Sequence, residues 1–345
     1  MKAVTFQGPR AVRVEERPKP RIQEADDALV RVTTGAICGT DLHFYHGRTP
    51  MEEGFVLGHE FVGVIEEAGG GVKRFGPGDR VVGSFISACG HCWYCRRNLR
   101  NKCTGMRIFG CGFAFGDLPG SQAEYVLVPS ADFTLTPAPI GLSDEQALFA
   151  GDILTTGYYC AHEGGVRPGD VVAVVGCGPV GLFAQMSARV LGAAAVYGID
   201  LVPARLAAAQ QAGSRPINAG ECDPADAILE ATDWRGADVV MECVGNEAAL
   251  ETALRLVRPA GTVSVVGVFV EDRVGLPLGD LWIKNVSLKG GICNVQGHWE
   301  QVLSLIEQGR IDPTSIISHT LSLDEAPRGY ELFDAHEATK VILKP

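Results

Sequence analysis

Four cysteines fall within fifteen residues of this chain, in "CGHCWYCRRNLRNKC" at 89–103. Cys89, Cys92, Cys95 and Cys103 could hold a zinc ion, anchor an iron–sulfur cluster or pair as disulfides. A second group is scattered: Cys38 in "AICGTDLH", His59 and Glu60 in "LGHEFVG", and Asp152 in "AGDILTTG". Each of these stretches carries a glycine, where the chain can turn sharply. A zinc ion held by thiolate, imidazole and carboxylate with one position open would act as a Lewis acid. Taken singly, each residue has another reading: Cys38 a buried thiol, His59 a satisfied loop histidine, Glu60 and Asp152 solvated carboxylates.

A third group is "VVGCGPVGLFAQM", where Gly176, Gly178 and Gly181 stand in the order G-x-G-x-x-G. With 43 glycines in the chain such a match can arise by chance, so its context decides. A valine-rich run precedes it, a helical period follows, and Asp200 closes the next apolar run nineteen positions after Gly181. Gly176 permits a tight turn, Gly178 lets a pyrophosphate approach the backbone, and Gly181 allows close helix–strand packing. Pro179 and Val180 open the helix whose N–H groups would hold the phosphates. Asp200 would accept hydrogen bonds from a ribose diol and repel a 2′-phosphate, which predicts NAD rather than NADP. Arg205, five residues on, is within reach of the adenine or a phosphate. The alternative is an ordinary glycine-rich turn with Asp200 as a helix cap.

The elements that must position these groups follow from length and pattern. At about 150 residues per domain, 345 residues predict two domains. Hydrophobic content of 46% and charged content of 21% are those of a globular protein. No apolar run reaches the roughly 18 residues of a membrane span. The opening "MKAVTFQGPRAVRVEERP" alternates like a strand and lacks the apolar region of a secretion signal, which predicts a cytoplasmic protein. Eleven cysteines, an odd number, then read as reduced thiols or metal ligands, which argues against the disulfide knot. A net charge of −11 without a basic tract argues against nucleic-acid and anionic-membrane partners.

Residues 1–150 are β-rich, with short valine-rich runs such as "ALVRVTTG" and "FVGVIEEAG". Over 151–290 strands alternate with helices: "DVVAVVGCG", "PVGLFAQMSARVLGA", "AVYGID", "PARLAAAQQAG", "ADVVMECVG", a helix "EAALETALRLVRPAG" and a strand "TVSVVGVF". This grammar predicts an α/β fold with a doubly wound parallel sheet. The tail 291–345, with "HWEQVLSLIEQG" helical and "TKVILKP" a strand, is expected to return to the first domain.

In combination and in this order, "CGTDLH" at 38–43, "GHEFVG" at 58–63, the four-cysteine loop, "GDILTTG" at 151–157 and "GCGPVG" at 176–181 resemble the zinc-dependent medium-chain alcohol dehydrogenases. The resemblance implies a GroES-like catalytic domain interrupted by a Rossmann domain. It implies that Cys38 and His59 bind a catalytic zinc, with Asp152 as third ligand where many members have cysteine. Glu60 would stand beside that metal and exchange with water, and Asp41 would orient the His59 ring. Thr40 would contact the substrate oxygen and His43 would end a proton relay. Thr156 would lie near the nicotinamide and Phe85 would wall the pocket. Cys89, Cys92, Cys95 and Cys103 would hold a second, structural zinc, with His91 excluded because four thiolates fill the shell. The other six cysteines, Cys111 and Cys177 among them, are read as core or loop thiols.

The implied activity is reversible, NAD-dependent oxidation of a primary or secondary alcohol to an aldehyde or ketone, by a homodimer or homotetramer with two zinc ions per chain. Polyol, threonine and formaldehyde dehydrogenases share these motifs, although the long insertions of the glutathione-independent formaldehyde enzymes do not fit into 345 residues. An iron–sulfur electron-transfer protein would need a second cluster motif, and no proline follows Cys103. A catalytically silent NAD sensor would have no use for the relay residue His43.

Overall fold

A computed structural model describes residues 1–271 and 273–345. The chain divides into two units, Met1–Asp152 with Asn294–Pro345, and Ile153–Cys293.

The first unit is built on a seven-stranded sheet. Its order is His319–Ser322, Val341–Lys344, Ala28–Ile37, Phe61–Ala68, Arg80–Gly83 and Leu135–Pro137, with Tyr125–Val128 also paired to Ala28–Ile37. The tail therefore supplies two strands of this sheet, through antiparallel pairing of Val341–Lys344 with Ala28–Ile37. The strand Ala28–Ile37 is buried along nearly its whole length, as its apolar run "ALVRVTTGAI" demands. Its register with Phe61–Ala68 shifts at Leu29/Val30 and again at Val32/Thr34. Such irregularities bend a strand and sharpen its twist, so this sheet curls around its core of Val30, Phe61, Ile65, Val81 and Phe109.

The second unit is a six-stranded, wholly parallel sheet. Its order is Arg215–Asn218, Ala195–Asp200, Val171–Val175, Ala237–Glu242, Val257–Val265 and Ser287–Gly290. Alternation along "VVAVV" sends Ala173 and Val175 into one apolar cluster and Val172 and Val174 into the other. Both faces are thus covered by helices, which parallel sheets require. The doubly wound expectation is met.

One element differs from its expected extent. The helix expected over "EAALETALRLVRPAG" stops at Leu256, and Val257–Val265 is already strand. Pro259 has no N–H for a further helical bond and steers Arg258 towards extended geometry, while Ala260 turns at φ +57°. The edge strands Arg215–Asn218 and Ser287–Gly290 carry no valine run, and pattern alone did not mark them. Among the described residues no helix is long and apolar enough to cross a membrane.

Candidate active site

Cys38 stands at the junction where the strand Ala28–Ile37 gives way to the helix Gly39–Tyr45. Its own backbone N–H donates to Asp41 Oδ2 at 2.9 Å, so the first helical turn fixes the cysteine. His59 and Glu60 lie just before the strand Phe61–Ala68, and Asp152 ends the turn Phe149–Gly151. From these three places a thiol, an imidazole and a carboxylate converge, with one ligand atom of each within 4.8 Å of the others. Asp152 Oδ2 is 3.2 Å from His59 Nε2 and 3.8 Å from Cys38 Sγ. All three side chains are buried.

The electrostatics favour a cation here. Burial pushes the Cys38 thiol up, and the neighbouring Glu60 pushes it further. Burial works against a charged His59, but Asp41 and Cys38 outweigh it and hold its pKa well above the ordinary value. His59 Nδ1 lies 3.4 Å from Asp41 Oδ1, which directs Nε2 towards Cys38 and Asp152. Asp41 is itself held by Gln122 Nε2 at 3.1 Å, and Gln122 Oε1 accepts from the Tyr330 hydroxyl at 2.9 Å. A buried set of mixed soft and hard donors with its imidazole braced from behind fits a catalytic zinc.

Glu60 stands outside this three-ligand set. Its Oε2 is 2.5 Å from Lys340 Nζ, and both side chains are fully buried. Lys340 also donates to the Ile37 carbonyl at 2.9 Å. Removing one partner of such a pair strands a buried charge at a cost of about 3–5 kcal/mol. Lys340→Met is therefore expected to lower the melting temperature sharply, and adding Glu60→Gln to recover much of the loss. Thermal melts of the single and double variants check this, and an additive double variant contradicts it.

The helix Gly39–Tyr45 also carries Thr40 and His43, three positions apart and so neighbours on one face. Phe85 meets the His59 ring edge-on, with centroids 6.3 Å apart. The four sulfurs of Cys89, Cys92, Cys95 and Cys103 form a second cluster, all within 4.8 Å of one another. A tetrahedral zinc with bonds near 2.3 Å needs sulfurs about 3.8 Å apart, so this cluster fits one. Backbone N–H groups of Cys89 and Gly105 point at Cys103 Sγ, at 3.3 and 3.4 Å. His91 is exposed, stands outside the cluster and contacts the Cys89 carbonyl instead. No disulfide joins any of the eleven cysteines.

In the second unit, Gly176 turns at φ +92° directly after the strand Val171–Val175. A Cβ on Gly181 would lie 1.9 Å from the Gly176 carbonyl, so only glycine fits there. The helix Pro179–Val190 starts with proline at its first turn and Gly178 as its cap, with no side chain covering its N-terminus. That end, with Val180 in its first turn, is open to an anion. Asp200 ends the strand Ala195–Asp200, and its Oδ2 accepts from the Cys177 backbone N–H at 2.8 Å. Its Oδ1 accepts from Leu201 and Val202, while Arg205 Nη1 lies 3.9 Å from Oδ2. Asp200 thus tethers the glycine loop, a duty that sequence reasoning did not assign to it. The helix that follows is capped by Val202, not by the Asp200 side chain. Thr156 lies half-buried in the helix Ile153–Gly164.

Sequence reasoning also missed Lys340, Gln122 and Tyr330. Nothing marks "TKVILKP" as holding a fully buried lysine, and only a sheet pairing that joins the tail to residue 37 could have found it.

Residues 24–139 match the family model for the alcohol dehydrogenase GroES-like domain, and 179–308 match that for zinc-binding dehydrogenases. An uncharacterised zinc-type alcohol dehydrogenase-like protein of Bacillus subtilis is 38% identical over the whole of both chains. The solved structure of an alcohol dehydrogenase from Thermus sp. ATN1 shares 48% identity, with a TM-score of 0.97 over 100% of this chain and 99% of that one. A zinc-binding dehydrogenase from Sinorhizobium meliloti, solved bound to NADP, shares 30% identity with a TM-score of 0.87, over 100% of this chain and 99% of that one.

Proposed function

The chain belongs to the zinc-dependent medium-chain alcohol dehydrogenases, and from that premise we propose that it reversibly oxidises a primary or secondary alcohol to the aldehyde or ketone with NAD. The observation that carries this reading is the buried convergence of Cys38, His59 and Asp152 beside a helix bearing Thr40 and His43.

Cys38, His59 and Asp152 would hold the catalytic zinc, and Cys89, Cys92, Cys95 and Cys103 the structural one, two ions per chain. When bound, zinc supplies a Lewis acid that acidifies an alcohol oxygen, and NAD supplies the hydride acceptor. The remaining work falls to side chains. Thr40 would orient the alcohol and relay its proton, releasing its own hydroxyl proton as it takes up the alcohol's, and His43 would end the relay by passing a proton to solvent. Asp41 keeps the His59 ring in place, and Lys340 holds the Glu60 carboxylate. Asp152, harder than the cysteine usual at this position, would leave the metal less electron-rich and more acidic. A panel of primary, secondary and polyol alcohols with NAD tests the reading and separates it from a polyol dehydrogenase. Turnover confined to polyols would overturn it.

Asp200 supports NAD over NADP, because a 2′-phosphate would bring roughly two negative charges against its carboxylate. Because the Sinorhizobium structure of the same fold was solved with NADP, the fold alone does not decide between the two dinucleotides. Asp200→Asn keeps an acceptor for neighbouring N–H groups and removes the charge. It is expected to move the ratio of kcat/KM values towards NADP by roughly one to two orders of magnitude. An unmoved ratio would leave Asp200 with its tethering duty alone.

We also read the protein as a homodimer or homotetramer. The edge strand Ser287–Gly290 is exposed along its length, and Leu278, Trp282 and Ile283 on the preceding helix are 71%, 79% and 73% exposed. An open strand edge beside bare apolar side chains favours a second copy. A monomer mass by light scattering would contradict it. An odd number of cysteines, eleven, supports a reducing compartment, the cytoplasm, which fractionation of the native protein checks.

A further inference from the structure

Glu242 is a fully buried carboxylate that the mechanism above does not use. It ends the strand Ala237–Glu242, in register with Val175 on one side and Val265 on the other. The sheet order reverses between Val171–Val175 and Ala237–Glu242, and ligands of such sheets bind in the crevice outside the strand ends at that reversal. Glu242 Oε1 accepts from the backbone N–H groups of Val244 and Gly245, at 2.7 and 2.8 Å. Its Oε2 is buried without a hydrogen-bond partner.

The turn held in this way is packed from both sides. A Cβ on Gly176, the first residue of the glycine loop, would lie 2.6 Å from Val244 Cγ2. A Cβ on Gly267, just beyond the strand Val257–Val265, would lie 2.4 Å from Glu242 Oε2 and 2.2 Å from Gly245 N. Gly245 itself has φ +88°, and a Cβ on it would lie 2.5 Å from Val268 N and O. The turn therefore sets the distance between the glycine loop and the end of the neighbouring strand. Burial pushes the carboxyl pKa up, while the N–H groups of Gly245 and Val244 pull it back. Keeping a buried acid at this position is costly for folding alone.

We propose that Glu242 is a positioning residue for the dinucleotide, bracing the turn Cys243–Gly245 so that the crevice accepts the nucleotide half beyond the glycine loop. The proposal rests on the NAD reading above. It is tested by titrating the zinc-replete protein with NADH and separately with AMP, following protein fluorescence, in wild type, Glu242→Ala and Glu242→Gln. Glu242→Ala releases the turn from both hydrogen bonds, so the crevice must be re-ordered on binding, and the NADH Kd is expected to rise by about tenfold. AMP, which fills only the Asp200 side of the crevice, should bind unchanged. Glu242→Gln, whose amide oxygen can accept from both N–H groups, should stay close to wild type. Where the alanine variant does not fold, Glu242→Asp, which withdraws the carboxylate by one methylene, takes its place with the same expectation. An unchanged NADH Kd overturns the proposal, and so does a parallel loss of NADH and AMP binding, which marks a purely structural role. Wild-type protein that binds neither NADH nor AMP overturns the dinucleotide reading itself.

Discussion

Replacing Cys38 by serine is expected to lower kcat/KM for alcohol oxidation by at least about 10³, since Lewis-acid stabilisation contributes several kcal/mol and each 1.4 kcal/mol is tenfold. The thiol is buried against Asp152 and His59, and a serine hydroxyl is a far weaker ligand than a thiolate. One zinc of the two should be lost. The fold should survive, because the strand Ala28–Ile37 is fixed by backbone pairing and the helix Gly39–Tyr45 by Asp41, and a serine hydroxyl can take over the place of the Cys38 side chain in the capping box. NADH binding should also survive, because the glycine loop belongs to the other unit. Activity, zinc content and NADH affinity of the variant check all three expectations. Near-wild-type turnover would remove Cys38 from the site.

Cys95→Ser should produce the opposite pattern, a loss of stability more than of chemistry. The lobe at 89–103 contains only two short 3-10 turns, Cys95–Arg97 and Arg100–Lys102. Its local apolar cluster consists of Ala88, Met106 and the four cysteines themselves, so without a metal the lobe has little core. Burial pushes the Cys95 thiol up to about 12, whereas the Cys95 backbone N–H, with others, pulls Cys92 down to about 5. A bound zinc ion would keep all four sulfurs as thiolates, and its binding energy would then be folding energy. The melting temperature of Cys95→Ser is expected to fall by on the order of 10 °C, with the second zinc lost. Calorimetry with metal analysis decides the point. A variant that keeps both its zinc content and its melting temperature would show that the lobe is held by something else.

The parts of this molecule that were legible in the sequence are those where one residue type is forced by local geometry. Gly176 and Gly181 are such positions, because a Cβ would collide with Val244 or with the loop itself. The four-cysteine spacing is another, since it brings four sulfurs together within one short loop. The valine runs were legible because a parallel sheet buries both faces. What stayed hidden depends on contacts between distant residues. Lys340 meets Glu60 across 280 positions, Tyr330 meets Gln122 across 208, and Gln122 meets Asp41 across 81. Lys340, Gln122 and Tyr330 are of types usually found at least partly exposed, and only the assembled sheet explains why they are buried. Glu242 was hidden differently: "DVVMECVG" reads as an apolar strand with an acid at its solvent end, yet the strand ends in a covered crevice.

The central claim, that this chain oxidises alcohols with NAD through a zinc held by Cys38, His59 and Asp152, is tested most directly by one measurement. It is the alcohol-dependent formation of NADH by the purified protein as isolated, after a chelator has removed the catalytic zinc, and after zinc has been restored. The account predicts NADH formation that disappears with the metal and returns with it. NADH formation that persists undiminished in the zinc-free protein would contradict it.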